Sequence, residues 1–225
     1  MKTATKYLVR RMRMADIPQV MEIEKESFPT MWPPTAFKRE LQQNRLAHYI
    51  VISERNPSYM REDDRDSEEE REAGPIGRIL DEIKHIFHGD ESENLPPPEQ
   101  RAELVVGVVG LWMMPDEAHI VTIATRLSHR RHGIGEMLLI SAIGMAQERG
   151  QPMVTLEVRV SNEAAIAMYA KYGLVEVGRR ARYYSDNHED AFILTVTSVL
   201  TPRYGEEFEK LRLDHGHRWG DFDFA

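Results

Sequence analysis

Arg130-Arg131-His132-Gly133-Ile134-Gly135 runs straight into Glu136-Met137-Leu138-Leu139-Ile140, so paired arginines and two spaced glycines stand at the head of a helix-like apolar pattern. Glycine lets backbone approach a bulky anion because no Cβ stands in the way. The first helical turn has N–H groups without intrahelical partners, and the helix dipole makes that end positive. Together these features form a cradle for phosphate. A fold built around it needs a strand leading in and a helix leading out, and a chain that holds a polyphosphate this way is expected to be an enzyme.

Two common phosphate folds do not fit. A Walker loop puts Gly-Lys-Ser/Thr before its helix, whereas Gly135 is followed by Glu136 and Met137. A dinucleotide fingerprint needs a third glycine where this chain has Leu138. That fingerprint also belongs near the start of a doubly wound unit, yet several elements precede this one. Periodicity predicts a strand over 5–13, with Tyr7 and Val9 on one side, and a helix capped by Asp16 with Ile17, Val20 and Met21 at helical spacing. A stiff loop from Phe28 to Pro34 leads to a second helix over 35–44 and a strand over 48–53. After residue 103 the pattern gives strands at 104–113 and 118–126, a helix over 133–149, a strand over 153–159 and a helix from Ser161 or Asn162 to Tyr172. Strands over 174–178 and 190–199 follow. The order βααβ-(insert)-ββαβαββ reads as α/β, a mixed sheet flanked by helices.

The insert stands out by charge. Residues 54–103 hold 16 acidic and 7 basic residues, a net of −9, which leaves +1 of the chain's −8 for everything else. Its first part is expected to be disordered. Ile76, Ile79, Leu80, Ile83 and Phe87 predict one amphipathic helix over about 76–88, and Leu95-Pro96-Pro97-Pro98 a stiff return. The segment reads as an insertion in a hairpin connection of a domain spanning 1–200. A charged tail over 201–225 follows, with a short helix at Glu206–Leu213. The net negative charge argues against direct nucleic-acid binding and for a basic peptide or protein partner. With no cysteine in 225 residues, disulfides, thiolate metal sites and a cysteine nucleophile are excluded, and a reducing cytoplasm is the expected setting. No run approaches the roughly 18 apolar residues of a membrane span, and no signal-peptide core follows Met1. Among the 9 histidines no metal-ligand spacing is read beyond His215-Gly216-His217, and that pair suits a surface better than a metal, so no metal is assigned.

Arg130-x-x-Gly133-x-Gly135 after a strand is similar to the acetyl-CoA motif of the GNAT acyltransferases, (Arg/Gln)-x-x-Gly-x-(Gly/Ala), and the element order is that of the GNAT fold. Leu156-Glu157-Val158-Arg159-Val160-Ser161-Asn162, Ala165-Ile166-Ala167-Met168-Tyr169 and Tyr172-Gly173-Leu174 resemble the branch that acetylates protein N-termini. So do Arg182-Tyr183-Tyr184 and Glu189-Asp190-Ala191, and within the branch the likeness is to the RimI type, which modifies the N-terminal alanine of a ribosomal protein. The resemblance covers roughly 6–53 and 104–199. It departs from the family at Thr125-Arg126-Leu127, where Val-Asp-Pro is common, and at Leu194, where methionine is common.

The resemblance implies acetyl-CoA as co-substrate, without a metal. Backbone from Arg131 through His132, Gly133, Ile134 and Gly135 to Glu136, with charge from Arg130 and Arg131, is expected at its pyrophosphate. Strand residues Ile123, Ala124 and Thr125 are expected along its pantetheine arm, polarising the thioester carbonyl, and the Asn162 side chain is expected to bond it. Asn162 also suits a helix cap.

Glu157 lies in an otherwise apolar strand, where partial burial would raise its pKa toward that of a useful general base. An edge glutamate facing solvent, or a partner of Arg159 or Arg182, fits the same position. By the resemblance Glu157 accepts the amine's proton, directly or through water, and Tyr169 protonates the leaving thiolate. Tyr169 equally suits a core position with Ala165 and Ile166. Phe28, Trp32, Tyr183 and Tyr184 are candidates for holding the acceptor, or simply pack their loops. The leading expectation is direct transfer from acetyl-CoA to a protein N-terminal amine. A lysine or small-amine acetyltransferase, or a non-catalytic CoA-binding module, would use the same fold.

Overall fold

The structure, a computed structural model, describes residues 7–30, 32–55, 103–220 and 222–224. Its strands are β1 (Tyr7–Arg11), β2 (Ala47–Arg55), β3 (Glu103–Met113), β4 (Ala118–Thr125), β5 (Met153–Arg159), β6 (Val175–Arg180), β7 (Ala191–Thr197) and β8 (Phe222–Phe224). They form one sheet in the order β6-β7-β5-β4-β3-β2-β1-β8. All neighbouring pairs run antiparallel except β4 with β5 and β1 with β8. This is the mixed, mostly antiparallel α/β sheet expected.

Helices cover both faces. α1 (Ile17–Ser27) and α2 (Pro34–Gln43) lie on one, and α3 (Ile134–Glu148) with α5 (Pro202–Trp219) on the other. α4 (Glu163–Lys171) follows β5. Strand alternation sorts the core: Ile50 and Ile52 pack toward α3, whereas Tyr49 and Val51 pack toward α1. β3 is buried on both sides, which explains its unbroken apolar run. α3 is mostly enclosed between the sheet and α5, so nine of its residues are buried, more than one stripe.

Three details differ from the sequence reading. Asp16 occupies the N-cap position of α1 but makes no side-chain cap bond there. Its carboxylate instead accepts from both terminal nitrogens of buried Arg10, at 2.7 and 2.8 Å, and from the Arg13 amide at 2.6 Å. The insertion expected over 54–103 is shorter at both ends, because Glu54, Arg55 and Glu103 belong to strands and Arg55 pairs with Glu103. The connection between them, with the helix expected at 76–88, lies outside the described residues. Finally, the short helix expected at Glu206–Leu213 extends over Pro202–Trp219. Tyr204, Phe208, Leu211, His215 and Trp219 form its inner stripe, against the core and the Gly133 segment. β8 then pairs with β1, where Phe222 stacks on Tyr7 at 5.3 Å between ring centroids.

Among the described residues no helix is long and apolar enough to cross a membrane.

Candidate active site

β4 and β5 pair over only three positions, Ala118↔Val154, His119↔Thr155 and Ile120↔Leu156. Beyond Ile120, β4 is held by β3 alone and β5 by β7 alone. The parting coincides with a register shift in which Gly110 faces Thr122 and Leu111 faces Ile120, so Val121 is an extra residue. Such a bulge bends the strand and sharpens its twist. It leaves the backbone from Val121 to Thr125 without a strand partner on the β5 side.

Two cavities fill the gap. One of about 310 Å³ is lined by Glu24, Phe28, Trp32, Thr122, Glu157, Tyr183 and Tyr184 among others. One of about 750 Å³ is lined by Ala124, Thr125, Arg130, Arg131, Gly133, Gly135 and Glu136. Ser27, Phe28, Ile123, Asn162 and Tyr169 border both, so the cavities meet at the opened strand.

The glycine loop forms one end of the larger cavity. Gly133 is the N-cap of α3 with φ +77°, and Arg131 precedes it at φ +64°. His215 Nε2 donates to the Gly133 carbonyl at 2.9 Å, and Trp219 packs against the Gly133 Cα. Arg218 and Trp219 also line this cavity. Arg130 donates to the Thr125 carbonyl at 3.3 Å and to Ser27 Oγ at 3.2 Å. His132 is exposed, whereas the Ile134 side chain is in the core, so only its backbone can face a ligand. Glu136 accepts from Lys171 at 2.6 Å and from Tyr172 at 2.8 Å. Burial would raise its pKa, but those two bonds outweigh it and hold it down.

Glu157 borders the smaller cavity and is a partner of neither Arg159 nor Arg182. Its Oε2 meets His119 Nε2 at 2.8 Å and its Oε1 accepts from Arg180 Nε at 2.9 Å. Arg159 instead pairs with Asp186 and Glu189, and the Arg182 amide donates to Asp190. The expected upward pKa shift is therefore reversed. The His119 hydrogen bond, opposed by burial and aided by Arg180, holds Glu157 below the usual carboxylate range. Conversely, the Glu157 bond raises His119 above its ordinary 6.5 against burial. The pair weakens in acid as Glu157 protonates, and weakens again as pH rises through the elevated His119 value. An NMR titration should find the His119 imidazole titrating above 6.5 and falling back in Glu157→Gln; a midpoint unmoved by that substitution would contradict the pairing.

Tyr169, only 4% exposed, lies where the cavities meet, and burial pushes its phenol well up, so it keeps its proton. Asn162 caps α4, its side chain accepting from the Ala165 amide at 3.3 Å. Tyr183 and Tyr184 meet edge to face at 5.2 Å between centroids, with Arg159 at 3.8 Å over the Tyr184 ring. Phe28 and Trp32 line the same cavity. Every candidate residue but His132 and Ile134 thus lines one of the two cavities. Sequence reasoning missed Glu24, His119, Thr122, Arg180, Arg218 and Trp219. Of these, only Trp219 carried a usable signal, through its place on the α5 stripe.

The chain matches the family described as Acetyltransferase (GNAT) family over residues 17–174. It is similar to a Bacillus subtilis (strain 168) protein provisionally named a [ribosomal protein bS18]-alanine N-acetyltransferase, with 33% identity over 193 residues, covering 86% of this chain and 97% of that one. It is similar also to an N-alpha-acetyltransferase of Sulfurisphaera tokodaii, at 28% identity over 86% of this chain and 94% of that protein. In fold it is similar to the crystal structure of the ribosomal-protein-S18-alanine N-acetyltransferase from Escherichia coli, with a TM-score of 0.58 and 21% identity over 85% of this chain and 94% of the other.

Proposed function

Because the chain belongs to the GNAT acetyltransferase family, we propose that it moves the acetyl group of acetyl-CoA to a protein N-terminal α-amine, with a ribosomal-protein N-terminal alanine as the substrate. The observation that carries this reading is the gap between β4 and β5, which joins a glycine-lined anion cradle to a cavity bordered by a carboxylate and a buried phenol.

The residues present fit acetyl-CoA. The backbone from Arg131 to Glu136 opens the α3 N-terminus toward the larger cavity, which suits a pyrophosphate flanked by Arg130 and Arg131. The freed backbone at Ile123, Ala124 and Thr125 suits an extended amide-bearing arm and would polarise a thioester carbonyl. Asn162 borders both cavities and has a side-chain N–H left to donate after its oxygen caps α4. When bound, acetyl-CoA supplies the electrophilic thioester carbon.

On this chain's side, the amine arrives as an ammonium and must shed a proton before it can attack. Glu157 is ionised and lines the cavity, so it is available to take that proton, through water where the amine does not reach it, and its lowered pKa makes it a weaker base than a buried, unpaired carboxylate. Tyr169 holds a proton at the junction and delivers it to the departing thiolate. Phe28, Trp32, Tyr183 and Tyr184 form the walls that receive the acceptor's first residues. With no cysteine in the chain, direct attack in a ternary complex needs no acyl-enzyme.

The test is CoA release, with mass spectrometry of the product, on peptides beginning Ala-Arg, on the same peptides with a blocked N-terminus, and on internal-lysine peptides and polyamines. Acetylation of the free N-terminus alone is expected. Transfer only to lysine or polyamine would replace the acceptor, and CoA binding without turnover on any amine would leave a non-catalytic module.

A further inference from the structure

α1 carries Glu22, Glu24 and Glu26, and they face different surroundings. Glu22 and Glu26, four apart and so on one face of the helix, reach Arg126 at 2.9 and 3.6 Å. Glu24 points the other way, into the 310 Å³ cavity, and is 3% exposed. It accepts a hydrogen bond from Thr122 Oγ1 at 2.9 Å. Among the described residues no cation pairs with it. A carboxylate withdrawn from water without a cation is costly to keep ionised, and burial accordingly raises its pKa.

The surroundings favour a positive ligand. Phe28, Trp32 and Phe37 line the same cavity, and aromatic faces attract cations. Thr122, which orients Glu24, belongs to the stretch of β4 freed by the Val121 bulge and directly precedes Ile123. A cation seated at Glu24 is thus beside the opened backbone and shares its cavity with Glu157.

We propose that Glu24 is the docking carboxylate for the acceptor's α-ammonium, distinct from the carboxylate that deprotonates it. This rests on the acetyl-transfer reading and divides that site's labour. Glu24 draws the protonated amine into the cavity with its three N–H bonds intact, and Glu157 then removes one proton. The ligand is the amino terminus itself, not a basic side chain further along, because the carboxylate lies beside the strand where the thioester is expected.

Two measurements on the full chain test this. In the first, Glu24→Gln is assayed with Ala-Ala and Ala-Arg peptides. KM should rise about tenfold or more for both, as expected for losing a charged hydrogen bond, with kcat within about twofold and CoA affinity by calorimetry unchanged. An unchanged KM, a fall in kcat without a rise in KM, or an effect confined to the Ala-Arg peptide would each overturn the proposal. The second needs no variant. With CoA bound, the wild-type chain should bind a free-amine peptide about tenfold tighter than its desamino analogue, and equal affinities would overturn the proposal even if Glu24→Gln fails to fold. If the wild-type chain acetylates no amine at all, the acetyl-transfer reading itself has failed, a result separable from any of these.

Discussion

Glu157→Gln should lower kcat by about 10²–10⁴-fold, the range expected for losing a general base, while the Kd for CoA stays within about twofold. The amide keeps the side chain's shape and still accepts from Arg180, but it cannot take a proton. Its NH2 group also turns a donor toward His119 Nε2, which now meets an acceptor at 2.8 Å. Pre-steady-state acetylation of a peptide, with CoA binding measured in parallel, separates the outcomes. An equal loss of CoA affinity would make Glu157 a structural residue that braces His119 and Arg180. The depressed Glu157 pKa bears on the result. A carboxylate held below its usual range by His119 and Arg180 is ionised near neutral pH, so activity should not be lost by its protonation until pH falls well into the acid range.

Gly133→Ala should lower both stability and CoA affinity. An alanine there must adopt φ +77°, a left-handed backbone that costs an L residue about 1–2 kcal/mol. Its Cβ would also lie 2.5 Å from Trp219 Cγ, and overpacking of that kind costs about 1–3 kcal/mol more. A thermal scan should therefore show Tm lower by roughly 5–15 °C. CoA affinity should fall by about tenfold or more as the cradle shifts, since roughly 1.4 kcal/mol is a factor of ten. Measured against Trp219→Ala alone, the same glycine substitution should cost only the backbone share, since the steric share is then gone. A single variant as stable as the wild type would mean that the loop yields freely and that α5 does not buttress it.

The parts that were legible in the sequence are those fixed by local pattern. α3 could be read because Gly133 and Gly150 bracket a dense apolar run, and β3 because a strand covered on both faces has no polar alternation to hide it. The cap at Asn162 rests on its immediate neighbours. What escaped depends on which distant groups meet. Glu157 takes its charge environment from His119, 38 positions earlier, and Arg180, 23 later. The near candidate Arg159 is claimed by Asp186 and Glu189 in the loop before β7, and Arg182 offers that loop only its backbone amide. Glu24 looks like its neighbours Glu22 and Glu26 until the helix phase against the sheet is known. The full length of α5 is hard to read because its inner stripe of Tyr204, Phe208, Leu211, His215 and Trp219 is sparse and includes a histidine, with charged residues and two glycines on the remaining faces.

The pairing of β1 with β8 joins Tyr7 to Phe222, a sequence separation of 222 − 7 = 215. Closing so long a loop costs chain entropy that is recovered only once the intervening sheet has formed, which places this latch late in folding. Contacts absent from the rate-limiting barrier leave the speed of folding nearly untouched and act on escape from the native state. β8 and the Tyr7–Phe222 stack should therefore set how long the molecule persists once folded, and with it how long α5 keeps Trp219 against Gly133.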